Sequence, residues 1–226
     1  MKVTILSTTN KPIETLYRAF KTCVSKCTPT EVKIPIKEDA LTGLPYDYEK
    51  MIDLIKRHIN HESVLEHINF TFSIEGVSRS LSHQLVRHRL ASYSQQSQRY
   101  TNGENFDFVI PDTIKNNPKM LEEFKDHICD TKLRYKRMID FGIPKEDARS
   151  ILPNATTTNL VMTVNLRELR HFYAERSCIH AQQEIRQLAN KMIELVKEKL
   201  DFIDYKAKKC GVTCFECQNK QKEGDK

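Results

Sequence analysis

The sequence predicts a single α+β domain with a central mixed or antiparallel sheet flanked by long helices. Three observations predict it. Ile68, Phe70, Phe72 and Ile74 alternate with polar residues, the period of a strand with one buried face. Residues 117–141 and 180–206 repeat apolar side chains at three- and four-residue spacing, the period of an amphipathic helix. Strand and helix signals follow one another without the regular alternation of a parallel βαβ sheet. A chain of 226 residues suffices for one substantial domain, assigned to residues 1–206, with a polar, Lys-rich tail at 207–226.

The elements follow in order. Val3–Leu6 reads as a short strand. Pro12 opens a helix, where proline is tolerated at the first position, with Ile13, Leu16, Tyr17, Phe20 and Val24 on its apolar face. Residues 28–47 carry three prolines and Gly43 and read as loop. Tyr48, Met51, Ile52, Ile55 and Ile59 mark a second helix. The alternating strand follows and is expected to end at Gly76. Residues 78–89 look helical, with Leu81, Leu85 and Val86 or His88 facing inward, and 90–105 look like polar turn. Phe106–Ile110 is expected as a short strand stopped by Pro111. A long helix at 117–141 buries Leu121, Phe124, Ile128, Tyr135 and Met138 and stops at Gly142. A short helix at 145–152, a strand at 156–164 and helices at 165–174 and 180–206 complete the chain.

The totals narrow the function. Net charge is +6, a modest basic excess that suits anionic ligands. No stretch approaches the roughly 20 apolar residues of a membrane helix, and the start has no signal-peptide pattern, so a cytoplasmic protein is expected. Seven cysteines are then reduced thiols, including Cys210, Cys214 and Cys217 of the tail, which lack a fourth zinc ligand. The six glycines are too far apart for a Rossmann fingerprint or a P-loop, so any nucleotide must be held by arginines and helix N-termini. His58, His61 and His67 form no HExxH pair, and no metal is expected.

Residues 84–100, QLVRHRLASYSQQSQRY, concentrate the chemistry. Three arginines and no lysine offer planar forks for phosphate, and the segment contains no acid to pair with them. Ser92, Ser94 and Ser97 add hydroxyls, and Gln84, Gln95, Gln96 and Gln98 add amides. Ser97 has no His–Asp relay around it, so it reads as a binding group rather than a nucleophile. Tyr93 and Tyr100 leave open a second reading, a nucleic-acid surface that stacks bases on exposed rings.

The spacing Arg87-His88-Arg89, seven residues, Ser97, one residue, Arg99 resembles the signature of the flavin-dependent thymidylate synthases. His61-Glu62-Ser63 with Glu66-His67, Ala148-Arg149 with Leu152-Pro153, and residues 163–185 resemble further blocks of that family in the same order. The resemblance implies an enzyme converting dUMP to dTMP. The carbon would come from methylenetetrahydrofolate, the hydride from NADPH through bound FAD, and no covalent enzyme nucleophile would be used. It also implies a homotetramer with sites at subunit interfaces and no nucleic-acid or membrane partner. It assigns Gln84, Arg87, Gln95, Gln96, Ser97, Arg99, Arg149 and Arg176 to dUMP, with Arg99 and Arg149 on the phosphate. Arg176, against the uracil, is the catalytic candidate. Ser63, Arg87, His88, Arg89, Gln95, Asn165, Arg167 and His171 fall to FAD, and His61 to the folate and nicotinamide face. Gln95 stands where many members carry Glu, and His171 where an Asn often meets the flavin. A divergent flavoprotein of the same fold, with an altered nucleotide substrate or activity, is the alternative.

Overall fold

The structure, a computed structural model, describes residues 1–34, 48–100, 106–203 and 205. Most of the expected 28–47 loop and the whole 207–226 tail, with its three cysteines, lie outside the described residues. Among these residues four strands form one sheet: β1 (Lys2–Thr8), β2 (Asn69–Ser78), β3 (Ala91–Gln95) and β4 (Thr157–Asn165). Their order is β1-β2-β4-β3, and every pairing is antiparallel, so the sheet is not mixed. Among the described residues eight α-helices accompany it: α1 (Pro12–Val24), α2 (Tyr48–His58), α3 (Arg79–Leu85), α4 (Asp112–Lys115), α5 (Pro118–Asp140), α6 (Lys145–Ala148), α7 (Leu166–Arg176) and α8 (Gln183–Lys197).

One sheet face is the core. Phe70, Phe72 and Ile74 of β2 and Leu160, Met162 and Val164 of β4 are buried there with Leu81 and Leu85 of α3, Leu169 and Phe172 of α7, and Ile185, Leu188 and Met192 of α8. The other face is polar: Thr71 bonds Thr163 at 2.9 Å, and Ser92 and Ser94 are exposed beside Thr163 and Val161. This two-sidedness is what the alternation of β2 encodes.

The structure departs from the sequence reading in several places. Residues 91–95 form a strand rather than polar turn. β3 is an edge strand whose outward residues are serines and whose inward residues are Ala91, Tyr93 and Gln95, so no apolar run betrays it. Ser92 and Ser94 consequently leave the site for the opposite sheet face. Phe106–Ile110 forms an isolated bridge, Phe108 with Thr156, in place of the expected strand. Val24, beyond the reach of the core, is 58% exposed. Leu121, Phe124, Ile128 and Met138 are only half-buried: α5 buries Thr131 and Tyr135 alone. The last helix ends at Lys197, and turns then carry Leu200 and Ile203 into the core.

Gly76 does not end β2. It lies in a register shift between Ile74 and Val77, with φ +66°, after which the strand continues to Ser78. A Cβ there would have room, its nearest neighbour being the Met1 nitrogen at 3.7 Å. Gly76→Ala is therefore expected to cost about 1–2 kcal/mol, from backbone conformation alone, as read by urea denaturation.

Candidate active site

β2 passes into α3 through Ser78. Its Oγ accepts from Leu81 N at 3.0 Å, an N-cap, and donates to Glu184 Oε2 at 2.5 Å, while Ser78 N donates to Glu184 Oε1 at 2.8 Å. Glu184, in the first turn of α8, thus fixes where α3 begins. α3 ends at Leu85, so Val86 turns outward, and Arg87, His88 and Arg89 occupy the turn into β3. The Tyr93 hydroxyl lies 2.9 Å from both the Leu85 and the His88 carbonyl oxygens and holds this turn down. Burial, and then the nearby Glu168 carboxylate, push the Tyr93 phenol well above its ordinary pKa. Arg87 and Arg89 are exposed, and His88 between them is 7% exposed.

Two adjoining grooves open beside this turn. One, of about 570 Å³, is lined by Arg87, His88, Arg89 and Arg176. The other, of about 760 Å³, is lined by Asn165, Arg167 and Arg170 at the start of α7. Leu90, Glu168, His171 and Glu175 line both. Six of the eight residues assigned to FAD by sequence therefore face one continuous depression. Asn165 Oδ1 accepts from Glu168 N at 2.8 Å as the cap of α7. Arg167 pairs with Glu66 and with Glu62, the latter at 3.6 Å. These acids, Glu66 first, raise its pKa.

The remaining candidates are dispersed. Ser63 and His61 are exposed at the 3-10 turn Glu62–His67, where the His61 ring lies 5.9 Å from that of His58. Gln95 faces the helix–sheet seam, its Nε2 donating to Ser82 Oγ at 3.0 Å and Thr158 Oγ1 at 3.2 Å. Gln84 Nε2 donates to Gln182 Oε1 at 2.5 Å.

A second arginine cluster forms near the other end of α3. Arg99 pairs with Glu146 of α6 at 2.9 Å, and Arg149 Nε donates to the Glu146 carbonyl at 3.1 Å. The segment contains no acid, yet one reaches it from 47 residues away. Ser97 Oγ accepts from Arg99 N at 3.2 Å, and Gln96 Oε1 accepts from Asn159 Nδ2 at 2.9 Å. Sequence reasoning missed Arg79, at the first turn of α3. Its Nη2 donates to Gln96 O at 3.2 Å, while its buried Nε finds no partner among the described residues. Burial, and then the charge of Arg149, lower its pKa. Arg79 thus stands near Arg149, and of the three arginines here Arg99 is the one paired with the Glu146 carboxylate, a set of cations that suits a dianion.

His88 joins the grooves to the interior. Its Nδ1 lies 3.2 Å from Glu168 Oε1, and its Nε2 accepts from Arg176 Nε at 3.1 Å. Burial, and then Arg176, lower its pKa and keep it neutral. His88, Glu168 and His171 converge closely enough to ligate a cation. Both His88 nitrogens are engaged, however, and the Arg176 guanidinium repels a second positive charge, so the group is a hydrogen-bond chain. One sequence reading changes here: the Tyr93 ring, tied down by its hydroxyl, is no stacking platform.

Fold and grooves together define a class: an antiparallel α+β domain whose grooves are lined by arginines, histidines and glutamates, with no glycine among the lining residues. A family model described as thymidylate synthase complementing protein matches residues 4–200. A flavin-dependent thymidylate synthase of Pyrococcus furiosus is 44% identical over 205 residues, covering 89% of this chain and 81% of that one. One from Geobacter sulfurreducens is 41% identical over 199 residues, covering 87% and 82%. The crystal structure of thymidylate synthase X from Helicobacter pylori, with FAD and dUMP, superposes with a TM-score of 0.66 at 25% identity, covering 86% of this chain and 93% of that one. The chain belongs to the flavin-dependent thymidylate synthase family. Among the described residues no helix is long and apolar enough to cross a membrane.

Proposed function

We propose that this enzyme methylates dUMP reductively to dTMP, with methylenetetrahydrofolate as carbon donor and NADPH as hydride source through FAD. The observation that carries the reading is the shared depression, on which six sequence-assigned flavin residues meet with Arg176 beside them. The donor set fits FAD: the exposed guanidinia of Arg87 and Arg89 suit its pyrophosphate, and the half-open groove walls suit a planar ring. FAD, when bound, supplies the hydride that reduces the transferred carbon.

The protein's own groups divide the remaining work. Arg99 and Arg149, with Ser97 and Gln96 beside them, hold the dUMP phosphate, and Arg79 adds a third cation at the same end of α3. Arg87 lies at the far end of the helix, about 10 Å along its axis, with Gln84 one turn before it. Arg176 faces the uracil, where a fixed cation stabilises the negative charge that develops as the ring nitrogen loses its proton. That charge activates the ring carbon directly, so no covalent nucleophile is required, and Ser97 serves binding. Ser63, Gln95, Asn165, Arg167 and His171 complete the flavin contacts, and His61 borders the face that folate and nicotinamide use. A homotetramer, with sites built between subunits, would bring the two ends of α3 from different copies onto one ligand. Free, exposed Cys23, Cys27 and Cys129 suit a reducing cytoplasm.

The test is dTMP formation from dUMP, methylenetetrahydrofolate and NADPH with added FAD; no product with all four present would overturn the reading. Arg149→Ala is expected to weaken dUMP binding about 10- to 100-fold, the worth of charge-assisted hydrogen bonds. Deoxyuridine, lacking the phosphate, should bind both forms alike in titration calorimetry.

A further inference from the structure

The proposed reaction gives Glu168 no task and His88 only a general one, yet both are costly to bury. Glu168 is 6% exposed on the inner side of α7, between Leu166 and Phe172. A buried carboxylate is retained only with a partner, and its partner is His88 Nδ1. At the far side of the ring stands Arg176 Nε, which can only donate. The His88 Nε2 must therefore present a lone pair, and the proton must sit on Nδ1, facing the carboxylate. The ring is clamped as well: Phe172 meets it edge-on at 4.9 Å, and the His88 carbonyl is held by Tyr93. Arg176 Nη2 also lies 3.5 Å from the Gln84 carbonyl. One edge of the guanidinium, Nε and Nη2, is thus taken up by the protein.

We infer that Glu168 and His88 are positioning residues for Arg176: the carboxylate selects the imidazole tautomer, and the imidazole lone pair fixes the plane of the guanidinium. This rests on reading Arg176 as the uracil-facing group. The relay works through orientation, as second-layer carboxylates orient ligating histidines at metal centres. In Glu168→Leu nothing is left to accept from Nδ1, so the imidazole loses the contact that fixes its tautomer, whereas the amide oxygen of Glu168→Gln can still accept there.

The test reads the tautomer of His88 directly, from ring-nitrogen shifts of histidine-15N-labelled protein without added ligand, with His88→Asn to assign the signal. The wild type should show a protonated Nδ1 and a bare Nε2, Glu168→Gln should keep that tautomer, and Glu168→Leu should lose it as the dominant form. In turnover, Glu168→Leu should lose about 10- to 100-fold in kcat, the cost of a misplaced catalytic group. Its KM for dUMP should change far less, since the phosphate is held elsewhere. An Nε2–H tautomer or an imidazolium in the wild type at neutral pH would overturn the inference, and so would an unchanged kcat in a folded Glu168→Leu. The expected tautomer in a wild type that makes no dTMP would uphold the chain and overturn the functional reading instead.

Discussion

Arg176→Ala is expected to lower kcat for dTMP formation by about 100- to 1000-fold, the cost of removing one fixed donor from a developing negative charge. The loss should fall on kcat more than on KM for dUMP, because Arg99 and Arg149 keep the phosphate. Arg176→Lys should recover little. A lysine ammonium is a point charge on a flexible stem and cannot both occupy His88 Nε2 and present a second planar edge to the pyrimidine. Single-turnover measurements with reduced enzyme separate the chemical step from release. A variant with near-normal single-turnover rate would remove Arg176 from the chemistry.

The second large effect concerns the core. Phe72→Ala should destabilise the fold by about 3–5 kcal/mol, the range for truncating a buried aromatic. Phe72 is fully buried, lies 6.1 Å from the Phe70 ring, and sits on β2, which pairs with both β1 and β4. Because a domain's whole stability is about 5–15 kcal/mol, the variant should unfold at far lower urea. Val161→Ala, on the half-open outer face of the same sheet, is the contrasting control and should cost about 0.5 kcal/mol or less. Equal effects from the two would mean that the buried face has been misassigned.

β2 was legible because its buried face is aromatic and aliphatic while its outer face is Thr and Ser, so burial is written directly into the residue order. β3 was not, because its inward residues are Ala91, Tyr93 and Gln95, and the last two meet the interior through hydrogen bonds rather than apolar area. Gly76 signalled a break, and the structure uses it as a bulge, which local sequence does not distinguish from a stop. The motif arginines were legible as a resemblance, but their partners were not. Glu146 reaches Arg99 through a chain reversal, and Glu168 reaches His88 across 80 positions. One signal for Glu168 was present: an acid on the stripe of Leu166, Leu169 and Phe172 requires a buried partner. Arg79 carried no such signal, since an arginine at a first helical turn is unremarkable until its neighbours are in place.

The central claim is that one site holds a flavin and a uridine nucleotide together, and the absorption spectrum of the purified protein tests it most directly, recorded with FAD and again after dUMP is added. The account predicts bound flavin bands that shift when dUMP enters, with the shift lost in Arg176→Ala. A protein that takes up no FAD, or a flavin spectrum indifferent to saturating dUMP, would contradict it.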